Sequence, residues 1–434
     1  MKYLYLTLII LVGFSCNTKE NYTEAFSENE LHSANQKLID ISMEDIFNPP
    51  VATRVFCYPN LVAFETYNHK FNKSVLNDLG WDAIHDIESD TTKIDYSVAS
   101  LVAYEKIAKA VVFSEYMVDS LNNKLMKILD SKDISESRKA NSIKYGEKIA
   151  DQFKEWLKGD NYAKVKADAF YTNNTTDSSW VLTPPNFEPA LEPNWPKMRQ
   201  IVIKDKSKFE AKPRPWFSAD RNSDFFKNAM MVYEQSSKNT DEERSIAKHW
   251  DCNPNEYVNK GHNTVFLHRI SPPGHWVNIT TQLCRYNDAD LGMSLLTYAA
   301  VTTAMFDGIV SCWTTKYEND LIRPVTYINR YIDRTWEPYI QTPPFPEFTS
   351  GHSVASGTAT SVLAHLYNNS AFIDSTEVEF GYPARKFESI SQAGLEASNS
   401  RFYGGIHYKY GVDNGLEQGR RIGNHIISVL EKIR

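Results

Sequence analysis

Three short segments hold residues whose types and spacing could do chemistry: Lys316-Tyr-Glu-Asn-Asp-Leu-Ile-Arg323-Pro324, Thr349-Ser350-Gly351-His352 and Ser400-Arg401-Phe-Tyr-Gly-Gly-Ile-His407. Three fixed positive charges on one site imply an anion, and guanidinium forks suit a tetrahedral oxyanion such as phosphate. The two histidines supply a nucleophile or covalent ligand and a general acid/base working near neutral pH. No cysteine, aspartate or glutamate cluster accompanies them, so a bare metal cation is a poor match. The pattern predicts an oxyanion pocket.

Lys316 and Arg323 are seven residues apart, close to two helical turns, which would put both on one helix face. Pro324 disfavours helix at Arg323, so the guanidinium should project from a helix C-terminus. Trp313, one turn before Lys316, would wall the same face. Ser350-Gly351 at a helix N-terminus offers free amides and a hydroxyl to an anion, with His352 within reach. Gly404 and Gly405 allow the backbone between Arg401 and His407 to turn close to a ligand.

Together the segments resemble the superfamily that joins vanadium-dependent haloperoxidases with type 2 phosphatidic acid phosphatases and related acid phosphatases. That pattern is Lys, six residues, Arg-Pro; then Pro-Ser-Gly-His; then Ser-Arg, five residues, His. The chain departs once within it, with Thr349 for Pro. The resemblance covers about residues 240–434 and implies that Lys316, Arg323, Ser350, Gly351 and Arg401 hold the oxygens of vanadate or phosphate. It implies His407 as axial ligand of vanadium, or as phosphatase nucleophile, and His352 as general acid/base. The family commonly has Asp four residues after the last His, orienting its ring. Gly411 stands there, leaving Asp413 or a backbone carbonyl as the orienting group.

Vanadate mimics phosphate, so two reactions share the cradle. A haloperoxidase would use vanadate, hydrogen peroxide and halide, with Lys316 polarising the oxygen that the halide attacks. A phosphatase would need no cofactor and would act on a phosphate monoester through phosphohistidine at His407. Trp313 and Phe345 resemble the aromatic wall of the haloperoxidase branch, and Trp250-Asp251 with Pro272-Pro273-Gly274-His275-Trp276 resembles a segment of its bacterial members. A non-catalytic oxyanion-binding lipoprotein is a third reading, predicting capture without turnover.

The elements that must position these residues read as helical. Apolar spacing of three and four predicts one long helix across Tyr96–Leu129, another over Ser137–Leu157 capped by Ser137, a buried central helix over Leu291–Thr315 and a small-residue helix over Ser353–Tyr367. Asn174–Trp216 and His249–Trp276 are irregular and rich in proline and aromatics, and Arg199–Ile203 is the best strand candidate. The expected fold is one all-α helical bundle with long irregular loops, spanning residues 46–434.

The composition, 42% hydrophobic with 9 Trp, 24 Tyr and 22 Phe, is ample for a large core. A net charge of −7 argues against a nucleic-acid partner. Lys2, the apolar run to Phe14 and Gly13-Phe14-Ser15-Cys16 predict a signal peptide over residues 1–15 and lipidation at Cys16. Residues 16–45 would then be a tether to a bacterial membrane, periplasmic or outer-surface side. No later stretch reads as a transmembrane helix, so the lipid would be the sole anchor. Cys57, Cys252, Cys284 and Cys312 allow three disulfide pairings or four free thiols. The oligomeric state is not legible.

Overall fold

The computed structural model describes residues 23–433, apart from 168–170, 173, 255–256, 261 and 267–268. The expected signal peptide and Cys16 lie outside the described residues. The first half contains α1 (Glu28–Glu44), α2 (Pro49–Asn68), the one-turn α3 (Val75–Asp78), α4 (Tyr96–Val111), α5 (Glu115–Asp130), α6 (Glu136–Leu157) and α7 (Tyr162–Ala167). The second contains α8 (Asp224–Lys238), α9 (Asp241–His249), α10 (Pro272–Tyr286), α11 (Leu291–Asn319), α12 (Pro324–Tyr331), α13 (Gly351–Leu366), α14 (Ile390–Tyr403) and α15 (Lys409–Ile433). Two antiparallel hairpins interrupt it, β1 (Tyr257–Lys260) with β2 (Asn263–Phe266) and β3 (Phe372–Asp374) with β4 (Arg385–Phe387). The fold is all-α, as the sequence predicts.

The central helix α11 is capped by Asp290, whose carboxylate accepts from Met293 N, and is apolar on nearly every side. It is long and apolar enough to cross a membrane, contrary to expectation, yet it is wholly buried among its neighbours. It is a core helix. Against it packs α13, and against α13 packs α15, whose Gly411, Gly415, Gly419 and Gly423 recur every four residues. A Cβ at Gly419 would fall on Val354 O, and one at Gly357 on Leu416 O. The two helices therefore meet backbone to backbone, which fixes the start of α13 against the start of α15.

Several elements depart from expectation. The helix foreseen over Tyr96–Leu129 is two, because the Asp45 carboxylate accepts from Phe113 N and Ser114 N at 2.8 and 3.1 Å and draws the chain out of helical form between α4 and α5. The next helix is capped by Ser135, not Ser137. Arg199–Ile203 is no strand; its amides at Ile201, Val202 and Ile203 all donate to the buried Asp307 carboxylate of α11. The four cysteines among the described residues are buried free thiols.

Residues 28–44, expected to belong to a tether, form a packed helix instead. Ser27 and Glu30 form a reciprocal cap, and α1 buries Leu31, Ala34, Leu38, Ile39 and Ile41. His32 Nδ1 meets Tyr298 OH on α11 at 2.9 Å. Upstream, Ala25 N donates to Asp95 at 3.1 Å. Polar residues between the apolar ones dilute this helical period in the sequence, which is why composition reads as linker. Leu38→Ala should cost about 2–5 kcal/mol in urea unfolding, as for a core leucine. A change near zero would restore the tether.

Candidate active site

Lys316 sits in the last turn of α11, but Arg323 does not share its helix face. The helix ends at Asn319, Asp320 takes a left-handed conformation, and Arg323 is the N-cap of α12. A reversal of the chain, rather than helical phase, brings the two cations together. Both are fully buried. Lys316 Nζ donates to the carbonyls of Pro346 and Glu347 at 2.9 and 3.0 Å, leaving its third proton. Arg323 Nε donates to Phe345 O at 2.7 Å and Nη1 to Ile406 O at 2.9 Å, while Nη2 is buried with no partner.

Ser350 caps α13, its Oγ accepting from Ser353 N at 3.2 Å. The first amides of that helix have no acceptor one turn back, and the helix dipole adds partial positive charge. Thr349, the departure from the family's Pro, has a job of its own: its hydroxyl donates to Gln418 of α15 at 3.0 Å. His352 lies at 9% exposure with Nε2 unpartnered. Burial, then the charges of Arg401 and His275, hold its pKa well below the usual histidine range, so the ring is neutral.

Arg401, at the end of α14, donates through Nη2 to Trp250 O at 2.6 Å and Ala247 O at 3.3 Å. His407 follows the turn at Gly405, where φ is +77°. Asp413 does not orient it; that carboxylate is exposed and pairs with Lys409. The orienting group is Glu347, whose Oε1 accepts from His407 Nδ1 at 2.7 Å and from Tyr408 N at 3.1 Å. A Cβ at position 411 would fall on this carboxylate, so Gly411 makes the room that Glu347 fills. The sequence held the signal as a pair, a glycine where the family has an acid and one acid in Pro-Pro-Phe-Pro-Glu347-Phe.

With Nδ1–H committed to Glu347, the lone pair of His407 is on Nε2, where Arg323 Nη1 reaches it at 3.2 Å. Burial and the charges of Arg323, Lys316 and Arg401 keep the His407 pKa well below the usual range. Burial, reinforced by Arg323, lowers Lys316 to about 7, and burial raises Glu347 to about 7 against the pull of Lys316 and Arg323.

Trp313 and Phe345, expected as a wall, lie side by side next to the cations. Their rings lie 5.1 Å apart, and Phe345 faces both Lys316 Nζ at 4.9 Å and the Arg323 guanidinium at 4.8 Å. Gly351 abuts Trp313 so closely that an added Cβ would come within 3.1 Å of the indole. Trp313, Phe345, Gly351, His352, Arg401 and His407 line one cavity, which also takes in Cys252 and Pro272-Pro273. The donor set fits a tetrahedral oxyanion. Arg323 Nη2 and His352 Nε2 are buried polar atoms without partners, and three cations and a helix N-terminus surround a single neutral imidazole lone pair.

Residues 296–434, which include all three segments, match the family model of the VCPO second helical-bundle domain. Among solved structures the chain is similar to the first bacterial vanadium-dependent iodoperoxidase, at 36% identity and TM-score 0.84, covering 93% of this chain and 96% of that one. It shares its fold with a bacterial vanadium-dependent chloroperoxidase. The holo form matches at 17% identity and TM-score 0.66, covering 90% and 94% of the two chains, and the apo form at 16% and 0.67, covering 89% and 95%. No curated protein is significantly similar in sequence. With 36% identity sustained over 93% of its length, the chain belongs to the vanadium-dependent haloperoxidase family.

Proposed function

We propose that the protein is a vanadate-dependent haloperoxidase that uses hydrogen peroxide to oxidise halide. The observation that carries this reading is the His407–Glu347 pair, which presents a neutral Nε2 lone pair to a cradle of three buried cations. Lys316, Arg323, Arg401, Ser350 and the Gly351 amide would hold the oxygens of vanadate, and His407 Nε2 would ligate it. Vanadate in such a site supplies Lewis-acid activation of peroxide.

The chain's residues contribute the rest. His352 Nε2, neutral and unpartnered, takes a proton from peroxide entering the cavity and returns one to the leaving oxygen. The remaining N–H of Lys316 polarises the oxygen exposed to halide. Trp313 and Phe345 keep bulk water from the reacting oxygen and strengthen these interactions. Export and lipidation at Cys16 belong to the same proposal and rest on Gly13-Phe14-Ser15-Cys16. Loss of palmitate labelling in Cys16→Ser is expected, and unchanged labelling rejects the anchor.

Three outcomes are expected at the site. With orthovanadate, peroxide and iodide or bromide, the enzyme halogenates an indicator, and His407→Ala or excess phosphate abolishes this. Hydrolysis of an aryl phosphate without any vanadate-dependent halogenation would make it a phosphatase, and tight phosphate binding without either turnover a capture protein. Glu347→Gln should weaken vanadate binding about 10–100-fold with little change in melting temperature, as for other residues that orient a ligating histidine. Equal affinity would remove Glu347 from the orienting role.

The third outcome concerns pH. The oxyanion binds with Lys316 charged, but the empty site releases that proton as pH rises through about 7. Affinity should therefore fall by up to about tenfold per pH unit above 7. Lys316→Arg keeps its charge and should flatten this limb. The ratio of the two affinities cancels the anion's own titration, and a ratio independent of pH would refute the assignment.

A further inference from the structure

A second group of reactive side chains borders the cavity and has no part in holding the oxyanion. Cys252, just after α9, lies with Sγ 3.2 Å from His275 Nδ1. The other nitrogen of that ring, Nε2, is 2.8 Å from Asp374 Oδ2 at the end of β3. Glu377 Oε1 stands 3.3 Å from His275 Nδ1 and 3.9 Å from the sulfur. His275 and Asp374 are fully buried, and Trp250 stacks on the imidazole at 4.6 Å. Thiol, imidazole and carboxylate stand in the order that activates a sulfur nucleophile.

Two alternatives fare worse. Of two sets of ligand atoms among the described residues close enough to hold a metal, Cys252 with His275 and Glu377 offers three ligands, short of the four of a closed structural site, and in His249 with His275 and Asp374 the carboxylate is already satisfied. Oδ2 accepts from both imidazoles, at 3.1 and 2.8 Å, and Oδ1 from Thr376 N at 2.9 Å and Gln282 Nε2 at 3.5 Å. An inert core thiol describes Cys57, Cys284 and Cys312, which are fully buried against hydroxyl or carbonyl groups. Cys252 alone among these four lines the cavity shared by His352, Arg401 and His407. Burial pushes its thiol up, which the charge of His275 opposes. His275 itself is held well above its usual range, because Asp374 outweighs burial.

We propose that Cys252 is a peroxide-reactive thiol in the wall of the active-site cavity, with His275 and Asp374 as its activating pair. The sulfur attacks one oxygen of hydrogen peroxide, the S–O bond forms and the O–O bond breaks. The thiol proton leaves with the departing hydroxide as water, and the His275 imidazolium, 3.2 Å from the sulfur, stabilises the thiolate that attacks. Sulfur is oxidised by two electrons to sulfenic acid, and peroxide is reduced. A cavity that admits peroxide thereby carries its own site of oxidative modification, one that sets a polar oxygen beside the oxyanion cradle.

The test uses the full chain without vanadate, so it does not depend on halogenation. Treat it with hydrogen peroxide and a sulfenic-acid trap, and quantify adducts at each cysteine by peptide mass spectrometry. Cys252 should be labelled roughly tenfold faster than Cys57, Cys284 or Cys312, with all four equal after unfolding in urea. His275→Gln and Asp374→Asn should each slow labelling at Cys252 without speeding it elsewhere. Equal labelling of the four thiols in the folded wild type, or no labelling of Cys252, overturns the proposal even if both variants misfold. Undiminished labelling in folded variants overturns the role of the pair.

Discussion

Three cations buried in an apolar bundle are the constraint to which the rest of the structure answers. Lys316 and Arg323 are fully buried and Arg401 nearly so, and removing such charges from water is costly. The usual remedy is a carboxylate partner for each. Here the direct donations go mainly to backbone carbonyls: Pro346 and Glu347 for Lys316, Phe345 and Ile406 for Arg323, Ala247 and Trp250 for Arg401. Carbonyls fix the direction of each cation without cancelling its charge, while Arg401 Nη1 also faces the Asp251 carboxylate at 3.9 Å. The positive potential is left for an anion, and burial depresses Lys316 to about 7 and Arg323 to about 10.

Carbonyl acceptors must come from irregular chain or from the last turn of a helix, since other helical carbonyls are already used. This gives the end of α9 at residues 247–250 and the loops around 345–347 and 406 their role. They hold position because the elements beside them cannot slide. Glycines along α15 let α13 approach to backbone contact, and Ser350 N donates to Gly411 O at 3.0 Å where the two helices begin. Loop geometry, helix packing and charge placement thus form one arrangement.

What the sequence disclosed follows from this. The cations, Ser350, His352 and His407 lie in short contiguous segments, and segment chemistry is visible without a fold. The helices that carry them show strong apolar periods, and α11 was plain. Glu347 was not legible as the partner of His407, because the pairing spans 60 residues and depends on space left by Gly411. Asp413 fitted the spacing but faces solvent. Asp45 breaks a helix 68 residues away, and α1 hides its buried face among polar residues. Cys252 and Asp374 are far apart in sequence and meet across His275. Long-range pairings of this kind are set by the fold and not by local spacing.

The exchange at Glu347 has a consequence beyond replacing one acid by another. An aspartate one turn after the histidine would orient the ring from within α15 and leave the loop free. Glu347 lies in the loop itself, and its main-chain carbonyl holds Lys316 while its carboxylate holds His407 Nδ1 and Tyr408 N. One residue therefore sets the distance between the Lys316 ammonium and the His407 imidazole. Its neighbour Phe345 extends the coupling to Arg323 through both its carbonyl and its ring. Any movement of residues 345–347 must then alter all three contacts together. The stretch Pro343-Pro344-Phe345-Pro346 restricts that movement, because each proline fixes its own φ and limits the residue before it. The proline-rich loop is accordingly the stiff frame of the cradle, and its rigidity substitutes for the orienting acid that α15 lacks.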